Sequence, residues 1–167
     1  MTVRPIRMYG DPVLKTRASE VTEFGTPGLR TQVDDMLETM DSAGGVGLAS
    51  NQIGLLNRVI VFDTSHQPGG LRGHLINPSW VPIGEQTQIG KEGCLSIPGI
   101  SMDTERLMQV LVRGRDVDGR PVAVQASRLL ARCFQHEIDH LDGILFLKRL
   151  SPELRKEANA ILTEGRP

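Results

Sequence analysis

The stretch of sequence with the clearest capacity for chemistry is HEIDH, at residues 136–140. It fits the pattern H-E-x-x-H, in which two histidines stand four residues apart. Residues at that spacing lie one above the other on an α-helix, so the imidazoles of His136 and His140 can reach one metal ion. Glu137 projects close enough to contact a water on that ion. The pattern predicts a metal site suited to hydrolysis.

The alternative explanation is a solvent-exposed helix face that carries two histidines and an acid. Apolar residues around the motif argue against it, because they predict a helix that is largely buried. Imidazole and carboxyl groups inside a core would be left unpaired without a ligand. These apolar residues are Leu129, Leu130, Phe134 and Leu141.

A catalytic metal site usually has three protein ligands and keeps one position for water. Cys133 shares the helix face, but the seven residues to His140 correspond to about 10 Å of rise, so we predict a small core residue instead. Two alternatives stay open for the third ligand: Cys94, or a downstream acid such as Glu153 or Glu157. Composition favours Cys94, for which a buried core cysteine is the non-functional alternative.

Glycines at alternate positions mark a second segment, GVGLASNQ at residues 45–52. Gly45 and Gly47 would let another backbone approach closely, and a strand edge there could pair with a peptide. The segment lacks the GK[ST] of a phosphate-binding loop. A plain loop after the end of a helix is the non-functional alternative.

Length and charge limit the classes of protein to consider. A chain of 167 residues predicts a single domain, residues 1–167, with one core. The 19 basic and 20 acidic side chains give a net charge of −1, which argues against direct DNA binding and against attachment to a membrane surface. The first dozen residues carry no apolar signal segment, and no stretch approaches about 18 apolar residues. With two cysteines only, we expect a cytoplasmic protein without disulfides.

The elements that must position these residues follow from periodicity and caps. Helices are predicted at 27–42, at 127–142 and from 151 to about 163, with Pro27 and Pro152 in first turns and Gly143 ending the second helix. Strands are predicted at 59–62, 74–77 and 86–89, a loop at 67–73, and a hairpin of 107–113 with 121–125 around an Asp-Gly turn. Strands in the middle with helices before and after indicate an α+β fold: antiparallel β-sheets packed around a central metal-binding helix, with an N-terminal and a C-terminal helix.

The chain resembles the peptide deformylases, which remove the N-formyl group from new polypeptides. Residues 45–52 resemble the family motif G-φ-G-φ-A-A-x-Q, where φ is apolar; residues 92–96, EGCLS, match E-G-C-φ-S; and residues 136–140 match H-E-φ-D-H. The opening YGDPVL at 9–14 is also similar, so the resemblance spans nearly the whole chain. Ser50 stands where the family commonly has alanine, and we expect this exchange of small residues to leave Gln52 in place.

The resemblance implies a role for each motif. Cys94, His136 and His140 would hold one divalent metal ion, Fe²⁺ in the cell, with Zn²⁺, Ni²⁺ or Co²⁺ able to substitute. Glu137 would be the catalytic acid and base. The Gln52 amide and the backbone N–H of Leu95 would flank the oxyanion.

The implied substrates are N-formylmethionyl nascent peptides. Gly45, Val46 and Gly47 would line the cleft for the substrate main chain, and Leu48 and Leu129 would form the pocket for the methionine side chain. Some relatives dock on the ribosome through a long basic C-terminal helix, but here the last helix is predicted to end before residues 165–167, so we expect at most a transient ribosome contact.

Two rival functions remain open from the sequence. One is an endopeptidase with a His, His, Glu metal site. The other is a metal-stabilised binding module that captures peptide N-termini without catalysis. Loss of metal on removal of the Cys94 thiol would exclude the first, and turnover that depends on Glu137 would exclude the second.

Overall fold

The chain folds into antiparallel sheets around a buried helix, and the predicted α+β class is confirmed. This computed structural model describes residues 2–165. Within them the α-helices are α1 (Pro27–Ala43), α2 (Arg128–Leu141) and α3 (Pro152–Glu164). The strands are β1 (Gly47–Ala49), β2 (Val59–Asp63), β3 (Arg72–Pro82), β4 (Thr87–Cys94), β5 (Ile97–Leu107), β6 (Gln109–Arg115) and β7 (Pro121–Ser127). Short 3-10 helices cover Pro12–Lys15, Ser50–Ile53 and Phe146–Arg149.

The larger sheet has five strands in the order β1-β2-β3-β6-β7, and all of its neighbouring strands are antiparallel. The predicted hairpin is its β6–β7 edge. Asp116 closes the turn, because its carboxylate accepts hydrogen bonds of 2.9 Å from the backbone N–H groups of Asp118 and Arg120. Gly119 supplies the positive φ of 85° that the turn requires.

Helices α1 and α2 cover opposite faces of this sheet, and β2 shows why. Successive residues of a strand point to opposite faces. Ile60 and Phe62 pack in the cluster under α2, where the rings of Phe62 and Phe134 lie 4.8 Å apart. Val59 and Val61 pack in the cluster under α1. The continuous apolar run of β2 is therefore buried on both sides.

Helix α2 is the centre of the molecule. It contacts β1, β2, β6 and β7 of the larger sheet and β5 of the smaller one. Every residue from 130 to 141 is buried, the whole H-E-x-x-H motif included. Because buried polar groups need partners, the motif must find them within the protein or on a ligand. Among the described residues no helix is long and apolar enough to cross a bilayer.

The smaller sheet is a long hairpin of β4 and β5, most of which the sequence did not predict. Ile100, Met102, Thr104 and Arg106 point inward from β5 and alternate with exposed neighbours. The alternation is present, but two of these inward residues are polar, so the apolar pattern is broken. The predicted strand at 107–113 was placed across the end of β5 and the start of β6.

Helix bounds agree closely with the predictions. Helix α1 extends one residue further, to Ala43, and α2 is one residue shorter at each end. Helix α3 ends at Glu164, one residue beyond the expected stop at Thr163. Residues 166 and 167, which the prediction placed after the helix, lie outside the described residues.

The segment before α1 is tied down by a buried acid on that helix. Asp35 accepts the backbone N–H of Thr2 at 2.7 Å and the Nε–H of Arg4 at 2.8 Å. The backbone N–H of Arg4 donates to Thr39 on the same helix at 2.8 Å. The carboxylate of Asp35 is therefore a buried charge, and its hydrogen-bond partners come from the N-terminal segment.

We predict that Asp35→Ala lowers the free energy of unfolding by about 2 kcal/mol, since it leaves the Thr2 N–H and the Arg4 guanidinium without their acceptor. The half-exposed Arg4 keeps the loss moderate. Urea unfolding measures the change. Asp34→Ala is the matched control, because the neighbouring carboxylate is exposed, and we expect its stability to stay within about 0.5 kcal/mol of the native chain. Equal stability of the two variants would contradict the anchoring role of Asp35.

Candidate metal centre and active site

Three side chains from two segments, the end of β4 and helix α2, come together near the C-terminal end of α2. Cys94, His136 and His140 each offer one ligand atom, and these atoms all lie within 4.8 Å of one another. Cys94 Sγ and His140 Nε2 lie 3.2 Å apart. Among the described residues this is the one such group, and Glu153 and Glu157 are exposed on α3 outside it. The geometry therefore favours Cys94 over a downstream glutamate as third ligand.

Glu92 fixes the orientation of the first histidine. Its Oε2 lies 2.8 Å from His136 Nδ1, and Arg106 and Arg132 contact the same carboxylate at 2.6 and 2.9 Å. Burial alone would raise the pKa of Glu92, but the hydrogen bonds from His136 and Arg106 outweigh it and hold that pKa well below its usual range. Burial lowers the pKa of His136, but the hydrogen bonds to Cys94 and Glu92 outweigh it and hold that pKa well above its usual range. Glu92 accepts the Nδ1–H, and a metal would replace the proton on Nε2.

The acid inside the motif, Asp139, is part of the same ionic network and does not belong to the ligand group. Arg106 donates to Asp139 at 2.8 Å, and Arg149 binds the same carboxylate through two nitrogens at 2.8 and 3.0 Å. A buried guanidinium thus bridges Glu92 and Asp139. Arg106 was not predicted as a site residue; its one signal in the sequence was a charge at an inward position of an alternating strand.

Glu137 is buried beside the ligand group. Burial raises the pKa of its carboxyl to about 7, although the charge on His136 opposes the shift. Its Oε1 lies 3.9 Å from His136 Nε2, and its Oε2 has no hydrogen-bond partner among the described residues. A carboxyl that titrates near neutral pH and keeps one oxygen free is suited to general acid–base catalysis.

The second histidine is suited to bind a metal as a neutral ring. Burial and the positive charge on His136 hold the pKa of His140 well below its usual range. A metal-ligating imidazole must be unprotonated at the ligating nitrogen, so this shift favours binding. The thiol and the two imidazoles form a donor set that fits a late first-row divalent ion.

The Gln52 amide is fixed at the edge of this group. Its Oε1 accepts the backbone N–H of Ala49 at 2.9 Å, and its Nε2 donates to Ser96 Oγ at 3.1 Å. The same Nε2 lies 3.6 Å from Cys94 Sγ. The amide N–H groups therefore point toward the ligand group, and Leu95 lies directly after the cysteine in the same cleft. Ser96, like Arg106, was not predicted as a site residue from the sequence.

A cleft of about 340 Å³ opens onto the site. Four of the predicted substrate-binding residues line it: Gly45, Val46, Gly47 and Leu129. Leu48 does not, contrary to the prediction, because alternate residues of β1 face opposite sides. Its side chain is fully buried in the cluster under α1.

Gly47 lies close against the face of α2 that carries Glu137 and Cys133. A Cβ at this position would lie 2.7 Å from Glu137 Oε1 and 2.8 Å from Cys133 Sγ. Cys133 is 4% exposed and belongs to the core, as predicted, while its sulfur also borders the cleft. The approach of strand and helix thus requires glycine at position 47.

A thiol and two imidazoles grouped around one point, with a buried acid beside them, define a metallohydrolase site. The sequence model of the polypeptide deformylase family matches residues 3–156. The chain is 60% identical to peptide deformylase 1 of Corynebacterium efficiens over 162 residues, which is 97% of this chain and 95% of that protein. It is 50% identical to the peptide deformylase of Acidothermus cellulolyticus over 165 residues, 99% of this chain and 88% of that one.

The fold agrees with these relatives. The crystal structure of peptide deformylase from Thermus thermophilus superposes with a TM-score of 0.88 at 42% identity, over 98% of this chain and 95% of that one. The chain belongs to the polypeptide deformylase family. It is accordingly a metal-dependent hydrolase that removes the N-formyl group from nascent polypeptides.

We predict that Gly47→Ala lowers kcat/KM by about 100-fold, because the new methyl group displaces the Glu137 carboxyl, and a shift of about 1 Å is enough for that loss. Metal content should stay near that of the native chain. Gly28→Ala is the control, since a Cβ there meets nothing within 4 Å. Full activity of Gly47→Ala would show that the contact is not needed.

We predict that Glu92→Gln weakens metal binding by about 10- to 100-fold, since a neutral amide is a poorer acceptor for the His136 Nδ1–H. Competition with a chromophoric chelator for Co²⁺ measures the affinity. Glu105→Gln, on the exposed face of β5, should bind Co²⁺ like the native chain. Equal Co²⁺ affinity of Glu92→Gln and Glu105→Gln would contradict the role assigned to Glu92.

Proposed function

We propose that this chain deformylates N-formylmethionyl nascent peptides with one divalent metal ion, Fe²⁺, held by Cys94, His136 and His140. The observation that carries the proposal is the grouping of these three ligand atoms within 4.8 Å, next to the buried carboxyl of Glu137. A thiolate with two imidazoles also accepts Zn²⁺, Ni²⁺ or Co²⁺. When bound, the ion supplies a Lewis acid that polarises the formyl oxygen and lowers the pKa of water.

Glu137 moves the proton. Its carboxylate accepts a proton from the attacking water and then delivers it to the departing α-amine. The pKa of about 7 suits both steps at neutral pH, because neither proton transfer is strongly uphill. The nearby Gly47 leaves the carboxyl room to face the ligand group.

Gln52 and Leu95 stabilise the charge that develops on the formyl oxygen. The Gln52 amide is held by Ala49 and Ser96, so it need not reorganise during the reaction. The backbone N–H of Leu95 is the second donor. Each donor contributes about 3 kcal/mol to transition-state stabilisation.

The substrate lies in the cleft with its main chain along Gly45, Val46 and Gly47. Leu129 and Cys133 form the apolar wall for the methionine side chain, on the helix face that also carries the ligands. Leu48 has no part in this pocket. The short β1 edge next to the cleft supports pairing with an extended peptide.

We also propose that the chain acts as one catalytic domain in the cytoplasm, meets nascent peptides through no more than transient ribosome contact, and does not bind DNA. The length of α3, 13 residues with few basic side chains, supports a weak contact over a stable one. The near balance of basic and acidic residues supports both the weak ribosome contact and the absence of DNA binding.

We predict that anaerobically purified protein releases formate and free amine in equal amounts from a formyl-methionyl peptide. Glu137→Gln should keep its metal and lose about 10²- to 10⁴-fold in kcat, because the proton carrier is gone. Cys94→Ala should lose both metal and activity. Formate release and metal content are measured on the same samples.

The rival functions give different results in this assay. An endopeptidase would cleave internal bonds of the unformylated twin peptide without formate. A binding module would hold peptide with no turnover, and Glu137→Gln would leave its behaviour unchanged. An active, metal-bearing Cys94→Ala would remove the proposed ligand set.

A further inference from the structure

The last turn of the metal-binding helix is held by side chains from outside it. Asn51 donates from Nδ2 to the backbone carbonyl of His140. Arg58 donates from Nη1 to the carbonyl of Leu141 at 3.1 Å, and its Nη2 pairs with Asp142 at 2.9 Å. Both donors come from the segment that follows β1.

Helix ends open more readily than helix centres. The His140 carbonyl also accepts the backbone N–H of Gly143 at 2.9 Å, so Asn51 and Arg58 add side-chain contacts to an end that the backbone already caps. Helix α2 ends at Leu141, so His140 is a ligand on the penultimate residue. Any fraying there would move its imidazole away from Cys94 and His136.

Asn51 is itself rigidly placed. Its side chain is fully buried, and its carbonyl accepts the backbone N–H of Gly54 at 3.0 Å. The hydroxyl of Ser50 donates to the carbonyl of Asn57, which fixes the turn from the other side. Asn51 is also the residue directly before Gln52, so a short rigid turn joins the amide at the cleft to the end of the metal helix.

Two groups at this contact are still unused. Among the described residues, Asn51 Oδ1 and His140 Nδ1 are buried without hydrogen-bond partners. When His140 binds a metal through Nε2, its Nδ1 carries a proton and becomes a donor. Both atoms belong to the two residues that the Asn51–His140 hydrogen bond joins, and in this structure they do not bond each other.

We propose that Asn51 is a positioning residue that fixes His140, and with it the metal site, relative to the Gln52 amide. It occupies the position that the motif G-φ-G-φ-A-A-x-Q leaves open. The proposal rests on the ligand set given above. In this proposal Asn51 contacts neither substrate nor metal. It aligns the turn that carries Gln52 with the helix end that carries His140.

The test compares Asn51→Ser with Asn57→Ala. Serine is too short to reach the His140 carbonyl, whereas the Asn57 amide bonds to Gln32 on α1, so its loss removes a comparable amide without touching α2. Each protein is loaded with Co²⁺, and the release rate into excess chelator is followed by the thiolate absorption. We expect Asn51→Ser to release Co²⁺ about tenfold or more faster than the native chain, and Asn57→Ala to stay within about twofold.

Hydrogen exchange of the metal-free proteins gives a second readout. Amides of residues 140–143 should exchange faster in Asn51→Ser than in Asn57→Ala, because only the first variant frees the helix end. A native release rate in Asn51→Ser, or equal exchange in both variants, overturns the proposal. A purely structural residue would lower the melting temperature and leave the release rate unchanged.

If Asn51→Ser does not fold, Asn51→Asp decides by the same measurements. It keeps the shape of the side chain but presents an acceptor to the His140 carbonyl, so release should be accelerated at least as much. Failure of the native chain to bind Co²⁺ with thiolate absorption would instead count against the metal site itself. The two failures are therefore distinguishable.

Discussion

The carboxylate of Glu92 is the interaction on which the arrangement of the site depends. A buried charge is costly unless it is paired on several sides, and this one meets Arg106, Arg132 and His136. Those partners come from β5 and α2, so the network joins the smaller sheet to the central helix. Cys94 lies two residues further along β4. Docking Glu92 on α2 therefore also delivers the thiol to the two imidazoles.

A second constraint is the close approach of β1 to the same helix. Gly47 permits it, and the result is a carboxyl on Glu137 that is buried with one oxygen unpaired among the described residues. In a core with no ligand nearby, a buried carboxyl with an unpaired oxygen would be destabilising. Here it adjoins three ligand atoms, so a metal and its water can satisfy what the protein leaves open. The cost in stability and the capacity for catalysis arise from the same burial.

The sequence predicted what is local and missed what is long-range. The H-E-x-x-H spacing places His136, Glu137 and His140 on one helix whatever the rest of the chain does, and caps define the helix bounds closely. Arg106 was missed because its partners are 14 and 33 residues away, and a charged residue masks an inward strand position. Leu48 was misplaced because apolarity does not tell which of two buried faces a strand residue occupies.

The residues of the site come from separate segments of the chain, so their geometry depends on the polar contacts between these segments. Glu92 ties β4 to the first histidine near the middle of α2, and Asn51 ties the Gln52 turn to the second histidine at its end. The two ties act at opposite ends of the ligand pair. With only the first, the helix end at His140 would keep the contacts of Arg58 and of the Gly143 backbone but would lose its tie to the Gln52 turn. With both, the distance between the Gln52 amide and the group of Cys94, His136 and His140 is set by contacts that are buried from solvent.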